Sequence, residues 1–415
     1  MPFRPSRLAD KAAILALVLW GASASHGGLA RTDEPIDDEL RINQIQVLGT
    51  HNSYSLGTDA RVRALLDERV GPLMKLMRER ASPEAKAAAE EYHPNEVSFS
   101  DSLSYSFTTL TEQLDAGVRG LELDLNHDPE GGHYGYPAAY RALEQAGVQG
   151  ADLLPLDRTD MDKPGFKVFH MIDVDVRSSC NLFTACLAEL RQWSDAHPDH
   201  APIFVMLEAK AQAIPIFPDA TAPEPFDAAA YNAMDAEILS VLRRDRVITP
   251  DDVRGDYPTL ESAVRAGNWP LLEEARGKFV FMLITALDTK DLSGYLEGRP
   301  NLEGRVAFLR STPGQNHAAF LLLDNVFHRP GEVEQRVREG YLVRSRSDID
   351  TYEAKVNDPS RAQATFASGA QIVSTDYYRP GNAFGTDYVV RLPGGGEARC
   401  NPVNAPSGCR LSAHR

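Results

Sequence analysis

The stretch Ile42-Asn43-Gln44-Ile45-Gln46-Val47-Leu48-Gly49-Thr50-His51-Asn52 is a short apolar run that stops at a histidine–asparagine pair. Similar runs follow and end on chemically capable residues: Val118–Asp124 on Glu122-Leu123-Asp124, Lys167–His170 on a histidine, Ile203–Glu208 on a glutamate with Lys210 beyond it. Four more continue the series, at Lys278–Ile284, Ala318–Leu323, Gly340–Arg344 and Gln371–Thr375. Runs this short, rich in Val, Ile, Leu and Phe, read as β-strands. Their apolar residues run on without strict alternation, as parallel strands covered on both faces require. Amphipathic stretches such as Phe183–Trp193 and Gly331–Arg338 fall between them. With Ile42–Leu48 as the first strand, eight strand–helix units predict an α/β fold, a (β/α)8 TIM barrel.

In such a barrel the working residues sit at the C-terminal strand ends and in the loops that follow. His51, Asn52, Glu122, Asp124, His170, Glu208 and Lys210 meet that demand, as do Arg344 and Arg346 on the seventh strand and Asp376, Tyr377 and Tyr378 on the eighth. The rival, an open doubly wound sheet, would show a glycine-rich phosphate loop after its first strand, and none is present.

Composition sets the outer limits. The 415 residues are 43% hydrophobic and 25% charged, a globular balance. The formal charge of −16 repels nucleic acid, and a surface that acidic as a whole is expected to gain nothing from anionic lipid headgroups. Residues 1–24 read as a signal peptide: Arg4, Arg7 and Lys11 precede the apolar run Ala12–Trp20, and Ala22-Ser23-Ala24 supplies small residues for cleavage. That run is shorter than the ~20 residues a bilayer span needs. Export to a periplasm or the outside predicts two local disulfides, Cys180 with Cys186 and Cys400 with Cys409. The catalytic barrel is expected over residues 25–391. Residues 57–105 form a helical insertion after the first strand, with helices over Ala60–Arg80 and Ser82–Tyr92; it is either a lid or a plain decoration. Residues 392–415 read as a disulfide-closed tail.

Glu122 and Asp124, two apart on a strand, share a face, and in a barrel that face is the interior. Two inward carboxylates repel unless they hold a cation, and Asn52 and Glu208 offer further hard oxygens. Calcium suits such a set, magnesium less so, and zinc least, since no thiolate is near. A salt bridge of the acidic pair to Arg119 or Lys210 is the structural alternative. His51 and His170 reach the same rim. One imidazole can stabilise charge on a pentacoordinate phosphorus while the other protonates a leaving oxygen.

The segments Leu48 to Tyr54 (LGTHNSY), Leu110 to Asp124 (LTEQLDAGVRGLELD), Val168-Phe169-His170, Cys186 to Trp193 and Ser374-Thr375-Asp376-Tyr377 resemble the bacterial calcium-dependent phosphoinositide-specific phospholipase C family, from about Ile42 to about Tyr378. The resemblance implies a PI-PLC-like barrel. Asn52, Glu122, Asp124 and Glu208 match the family's calcium ligands, and His51 and His170 its catalytic histidines. It implies attack by the inositol 2-hydroxyl, deprotonated by Glu122 or Glu208. His51 would then stabilise the phosphorane and His170 protonate the departing diacylglycerol oxygen, with a cyclic inositol phosphate as first product.

No lysine cluster follows the strand Lys278–Ile284, which favours phosphatidylinositol or another lightly phosphorylated inositol lipid over the bisphosphate. Lys210, Arg344 and Arg346 are candidates for the bridging phosphate and Tyr377 for stacking on the inositol ring; ordinary rim salt bridging is their alternative. Transient membrane contact would come from rim loops, with Phe183, Trp269 and the Phe384 loop as apolar candidates. Two other functions fit the pattern. A glycerophosphodiester phosphodiesterase would use the same barrel, but usually carries His-Arg-Gly where this chain has His51-Asn52-Ser53. A non-catalytic secreted binding protein would have lost a ligand or a histidine, and none is lost.

Overall fold

In the computed structural model, which describes residues 39–211, 216–285 and 292–411, the opening apolar run starts as a 3-10 turn over Ile42–Gln44 and becomes strand β1 at Ile45–Thr50. The expected signal peptide, residues 1–24, lies outside the described residues. The other strands are β2 (Gly120–Asn126), β3 (Lys167–Val168), β4 (Ile203–Lys210), β5 (Val247–Ile248), β6 (Phe279–Thr285), β7 (Ala307–Leu309), β8 (Phe320–Leu322), β9 (Leu342–Arg346), β10 (Ile372–Thr375) and β11 (Arg399–Cys400). Eight of them run parallel in the ring β1-β2-β4-β6-β7-β8-β9-β10, and β10 returns to β1. The β7–β8 seam is closed by a single parallel bridge, Arg310 to Phe320. The fold is the expected (β/α)8 barrel.

Its staves differ from the expected set in one respect. The third expected strand, Lys167–His170, is not a stave: β3 runs antiparallel to β2, pairing Val168 with Leu125 and Lys167 with Asn126. The missing stave is β7, whose three residues are too few to show a period in the sequence. β5 also went unforeseen; it pairs with the first half of β6 and β7 with the second. β11 pairs antiparallel with β1 at Ile45 and Gln46, so the C-terminal segment is stitched to the start of the first stave.

The tightest crossing is β1 against β2, where Gly49 pairs with Gly120. A Cβ on Gly120 would stand 2.7 Å from Ile372 Cγ2 and 2.9 Å from Gly49 Cα, so only glycine lets the two staves approach. That crossing sets how deep Glu122 and Asp124 lie. Helix Leu110–Asp115, which feeds β2, starts in a capping box between Thr109 and Glu112, worth about 1 kcal/mol.

The insertion folds as helices α1 (Ala60–Arg69), α2 (Gly71–Arg80), α3 (Pro83–Tyr92) and α4 (Phe99–Ser102). The single helix expected over Ala60–Arg80 is broken at Val70-Gly71-Pro72, where the proline lacks the N–H a continuous helix needs. Ser82 caps α3 with Pro83 in its first turn. Both disulfides, Cys180–Cys186 and Cys400–Cys409, are formed, as suits an extracellular or periplasmic protein.

His200 sits under the barrel with Nδ1 donating to the Ala201 carbonyl at 2.6 Å and Nε2 accepting from Ser194 Oγ at 2.7 Å. Burial, with Arg119 and Arg246 nearby, pulls its pKa down to about 4. The unfolded chain therefore binds this proton first, at its ordinary pKa of about 6.5. Stability is whole above that value and is lost as pH falls towards 4, by about 2 kcal/mol at pH 5. Denaturant unfolding of His200→Gln should show a pH 7-to-5 loss smaller by that amount. Equal losses in both proteins would exclude His200 as the source.

Candidate active site

The C-terminal strand ends enclose a cavity of about 380 Å³, lined by His51, Glu122, His170, Glu208, Lys210, Asp324, Arg344, Arg346 and Asp376. Tyr92, His93, Phe99 and Tyr105 reach it from the insertion side. Parallel register assembles the acidic wall: Asp124 stands level with Glu208, and Asn126 with Lys210. One oxygen from each of Glu122, Asp124 and Glu208 lies within 4.8 Å of the others.

One of these carboxylates, Asp124, is poorly satisfied by protein alone. Neither oxygen of the fully buried Asp124 makes a well-aligned hydrogen bond. Lys210 Nζ stands 3.1 Å from Asp124 Oδ2 and donates to Glu208 Oε1 at 2.9 Å. Burial pushes Glu122 and Asp124 up to about 7, against the opposing pull of Arg344 and Lys210 respectively. Burial also works against the charged form of Glu208, but Lys210 outweighs it and holds the carboxyl below its usual value. Asn52, in the left-handed region at φ 51°, donates from Nδ2 to Tyr105 Oη at 2.7 Å. Its Oδ1 receives only a 3.3 Å bond from Tyr54. An all-oxygen donor set with a buried carboxylate short of hydrogen bonds fits a hard divalent cation, and calcium in particular. The alternative partner Arg119 is engaged elsewhere, with Glu397 at 2.9 Å.

Each rim histidine is backed by a buried aspartate. His51 Nδ1 lies 2.8 Å from Asp376 Oδ1 and His170 Nδ1 lies 3.0 Å from Asp175 Oδ2. Arg346 Nη2 is 3.2 Å from the same His51 nitrogen and 3.1 Å from Asp376 Oδ2. The shorter contact assigns the Nδ1 proton to the Asp376 bond and leaves Arg346 donating to the carboxylate. Both rings then present Nε2 to the cavity. Burial, reinforced by Arg346 and Arg344, holds His51 well below its ordinary pKa and so favours the neutral ring. His170 arrives from an unexpected place: it follows the antiparallel flap β3, in a tight turn where Met171 pairs with Asp175.

All three candidate cations line the cavity, and all are already paired. Arg344 bonds Glu122 Oε2 at 2.9 Å and also contacts Asp324. Arg346 pairs with Asp376, and Lys210 with Glu208 and Asp124. Tyr377 is not among the cavity-lining residues; it is buried, donates to the Ser104 carbonyl at 3.0 Å and meets Tyr388 edge-on. Asp376 was expected among the working strand-end residues, whereas Asp175 and Asp324 were not, though each had a signal. Asp376 and Asp324 directly follow apolar runs, and Asp175 comes five residues after His170. Tyr105 and His93 had none, because their approach depends on how the insertion folds back.

Buried carboxylates for a divalent ion and two buttressed histidines at the mouth of a (β/α)8 barrel define a metal-assisted phosphodiesterase type of site. Residues 40–402 match the family model of the Ca2+-dependent phosphoinositide phospholipases C, and the chain belongs to that family of calcium-dependent phosphoric diester hydrolases. Among solved structures, the chain is similar to the calcium-dependent phosphoinositol-specific phospholipase C of a Pseudomonas species. Identity is 16%, 88% of this chain and 97% of that one are covered, and the TM-score is 0.48. That protein has also been solved as a myo-inositol complex. A Ca2+-dependent phosphatidylinositol-specific phospholipase C from Streptomyces antibioticus aligns at 19% identity over 81% of this chain and 95% of its own, with a TM-score of 0.47. None of the curated protein sequences matches the chain.

Proposed function

We propose that this protein is exported and cleaves phosphatidylinositol, or a lightly phosphorylated relative, to diacylglycerol and a cyclic inositol phosphate. The observation that carries the reading is the pairing of His51 and His170, each locked by its own aspartate, in one cavity with Glu122 and Glu208, whose oxygens cluster with that of Asp124. Glu122, Asp124, Glu208 and the Asn52 carbonyl would hold calcium, which supplies Lewis-acid activation of the 2-hydroxyl and of a phosphate oxygen.

The remaining chemistry belongs to side chains. Glu122, expected from the resemblance as a possible base, is bonded to Arg344, whereas neutral His51 offers a free Nε2. His51 takes the proton of the 2-hydroxyl as its oxygen bonds to phosphorus. The imidazolium so formed, balanced by Asp376, faces the phosphorane charge. His170, entering as the imidazolium with its Nδ1–H on Asp175, gives its Nε2 proton to the glycerol oxygen as the phosphorus–oxygen bond breaks and leaves neutral. The cations bear on substrate choice: among the described cavity residues Lys210, Arg344 and Arg346 each already face a carboxylate, which leaves no surplus positive charge for additional ring phosphates.

The test is phosphorus NMR of the purified protein with phosphatidylinositol and, separately, glycerophosphoinositol, in calcium or chelator. A calcium-dependent cyclic inositol phosphate resonance is expected. Linear products from the soluble diester alone would point to a glycerophosphodiesterase, and turnover of neither substrate would exclude the catalytic reading.

A further inference from the structure

Helix α2 makes no use of the barrel. None of its ten residues is buried, yet it carries Leu73, Met74, Leu76 and Met77, exposed by 39 to 57%. These are four of the eight large exposed apolar side chains among the described residues. Leu73, Leu76 and Met77 are spaced three and four apart and form one stripe, with Met74 at its edge. A helix in water whose apolar stripe is left half exposed lacks part of the packing that ordinarily stabilises it.

The surroundings identify the partner. In a chain of net charge −16, α2 carries Lys75, Arg78 and Arg80 against Glu79 alone. None of the three cations has an ion-pair partner among the described residues. An apolar stripe with basic flanks is the pattern of a helix lying in the interface of an anionic bilayer. Beside it lies a groove of about 790 Å³ lined by Met74, Met77, Ala85, Val97 and Phe99. His93, Phe99, Ser102 and Asp350 line both this groove and the active-site cavity, so the groove adjoins the cavity. The apolar residues expected from sequence to touch membrane do not compete: Phe183 and Trp269 are fully buried and Phe384 is half-buried.

We infer that α2 is the membrane-docking element, which inserts Leu73, Leu76 and Met77 into an anionic phospholipid surface and brings the groove and the cavity mouth to the lipid. The inference rests on the proposed lipid substrate for the purpose of docking, but docking itself needs neither substrate nor calcium.

The test uses the full chain, sedimented with phosphatidylcholine–phosphatidylglycerol vesicles that contain no inositol lipid, in chelator. Wild type should partition to the vesicles and be released by high salt. Leu73→Ser/Met77→Ser should partition roughly tenfold less, since two apolar side chains no longer leave water. Its turnover of soluble glycerophosphoinositol should be unchanged, which also reports that the variant folds. Equal partitioning of the two proteins, or none by wild type, would overturn the inference. So would a wild-type dimer that dissociates in the variant while vesicle binding stays the same, since α2 would then cover a second copy of the chain. If vesicle binding behaves as expected but no inositol diester is cleaved by wild type, docking stands and the catalytic reading falls.

Discussion

His170→Ala lowers turnover of phosphatidylinositol by roughly 10³-fold, the range expected for loss of a positioned proton donor. The loss depends on the leaving group. A diacylglycerol oxygen departs as a strongly basic alkoxide unless it is protonated, whereas a nitrophenolate leaves unaided. The variant should therefore retain far more activity on a nitrophenyl inositol phosphate than on the lipid. His51→Ala, which removes the acceptor for the 2-hydroxyl proton, should suffer on both substrates alike. Calcium binding, read by titration calorimetry, should change little in His170→Ala, since the donor oxygens come from other strands. Equal losses on both leaving groups would remove His170 as the general acid, and unchanged turnover would remove it from the mechanism.

Asp124→Asn raises the calcium dissociation constant by roughly 100-fold, because affinity at such sites follows the number of charged oxygen ligands. The substitution is nearly isosteric, so packing is kept. The apo protein should move the other way. Asp124 is fully buried, pushed up by burial and by neighbouring carboxylates, and short of hydrogen bonds. Removing its charge relieves that repulsion and leaves Lys210 to Glu208 alone. Without calcium the variant should melt higher than wild type, by the equivalent of about 1 kcal/mol, and calcium should add little more. The two shifts have opposite signs, which separates a ligand from a structural carboxylate. An undiminished calcium-induced rise in melting temperature would exclude Asp124 from the donor set.

Much of the site was legible in the chain because a parallel barrel gathers its strand ends. Once Ile45–Thr50, Gly120–Asn126 and Ile203–Lys210 are strands of one ring, period two and parallel register alone bring Glu122, Asp124 and Glu208 together. His170 reaches the rim by a different route from the one its sequence suggests. Its run looked like a stave but pairs antiparallel on β2, and the true stave Ala307–Leu309 was too short to show a pattern. Tyr377 shows the limit of strand-end reasoning: one residue beyond Asp376, it turns into the Ser104 loop instead of the cavity.

By itself, then, the sequence determined all the staves but β7, the charges at the strand ends and the pairing of nearby cysteines, since each depends on short-range periodicity or spacing. The tertiary structure alone decided which cations are already paired with carboxylates, that Asp376 holds His51, and that α2 keeps an apolar stripe in water. Those outcomes depend on side chains that meet across tens to hundreds of residues, as Arg344 meets Glu122 and Asp376 meets His51. Contacts between such distant positions follow from ring closure and from the path of the insertion, which no local pattern encodes.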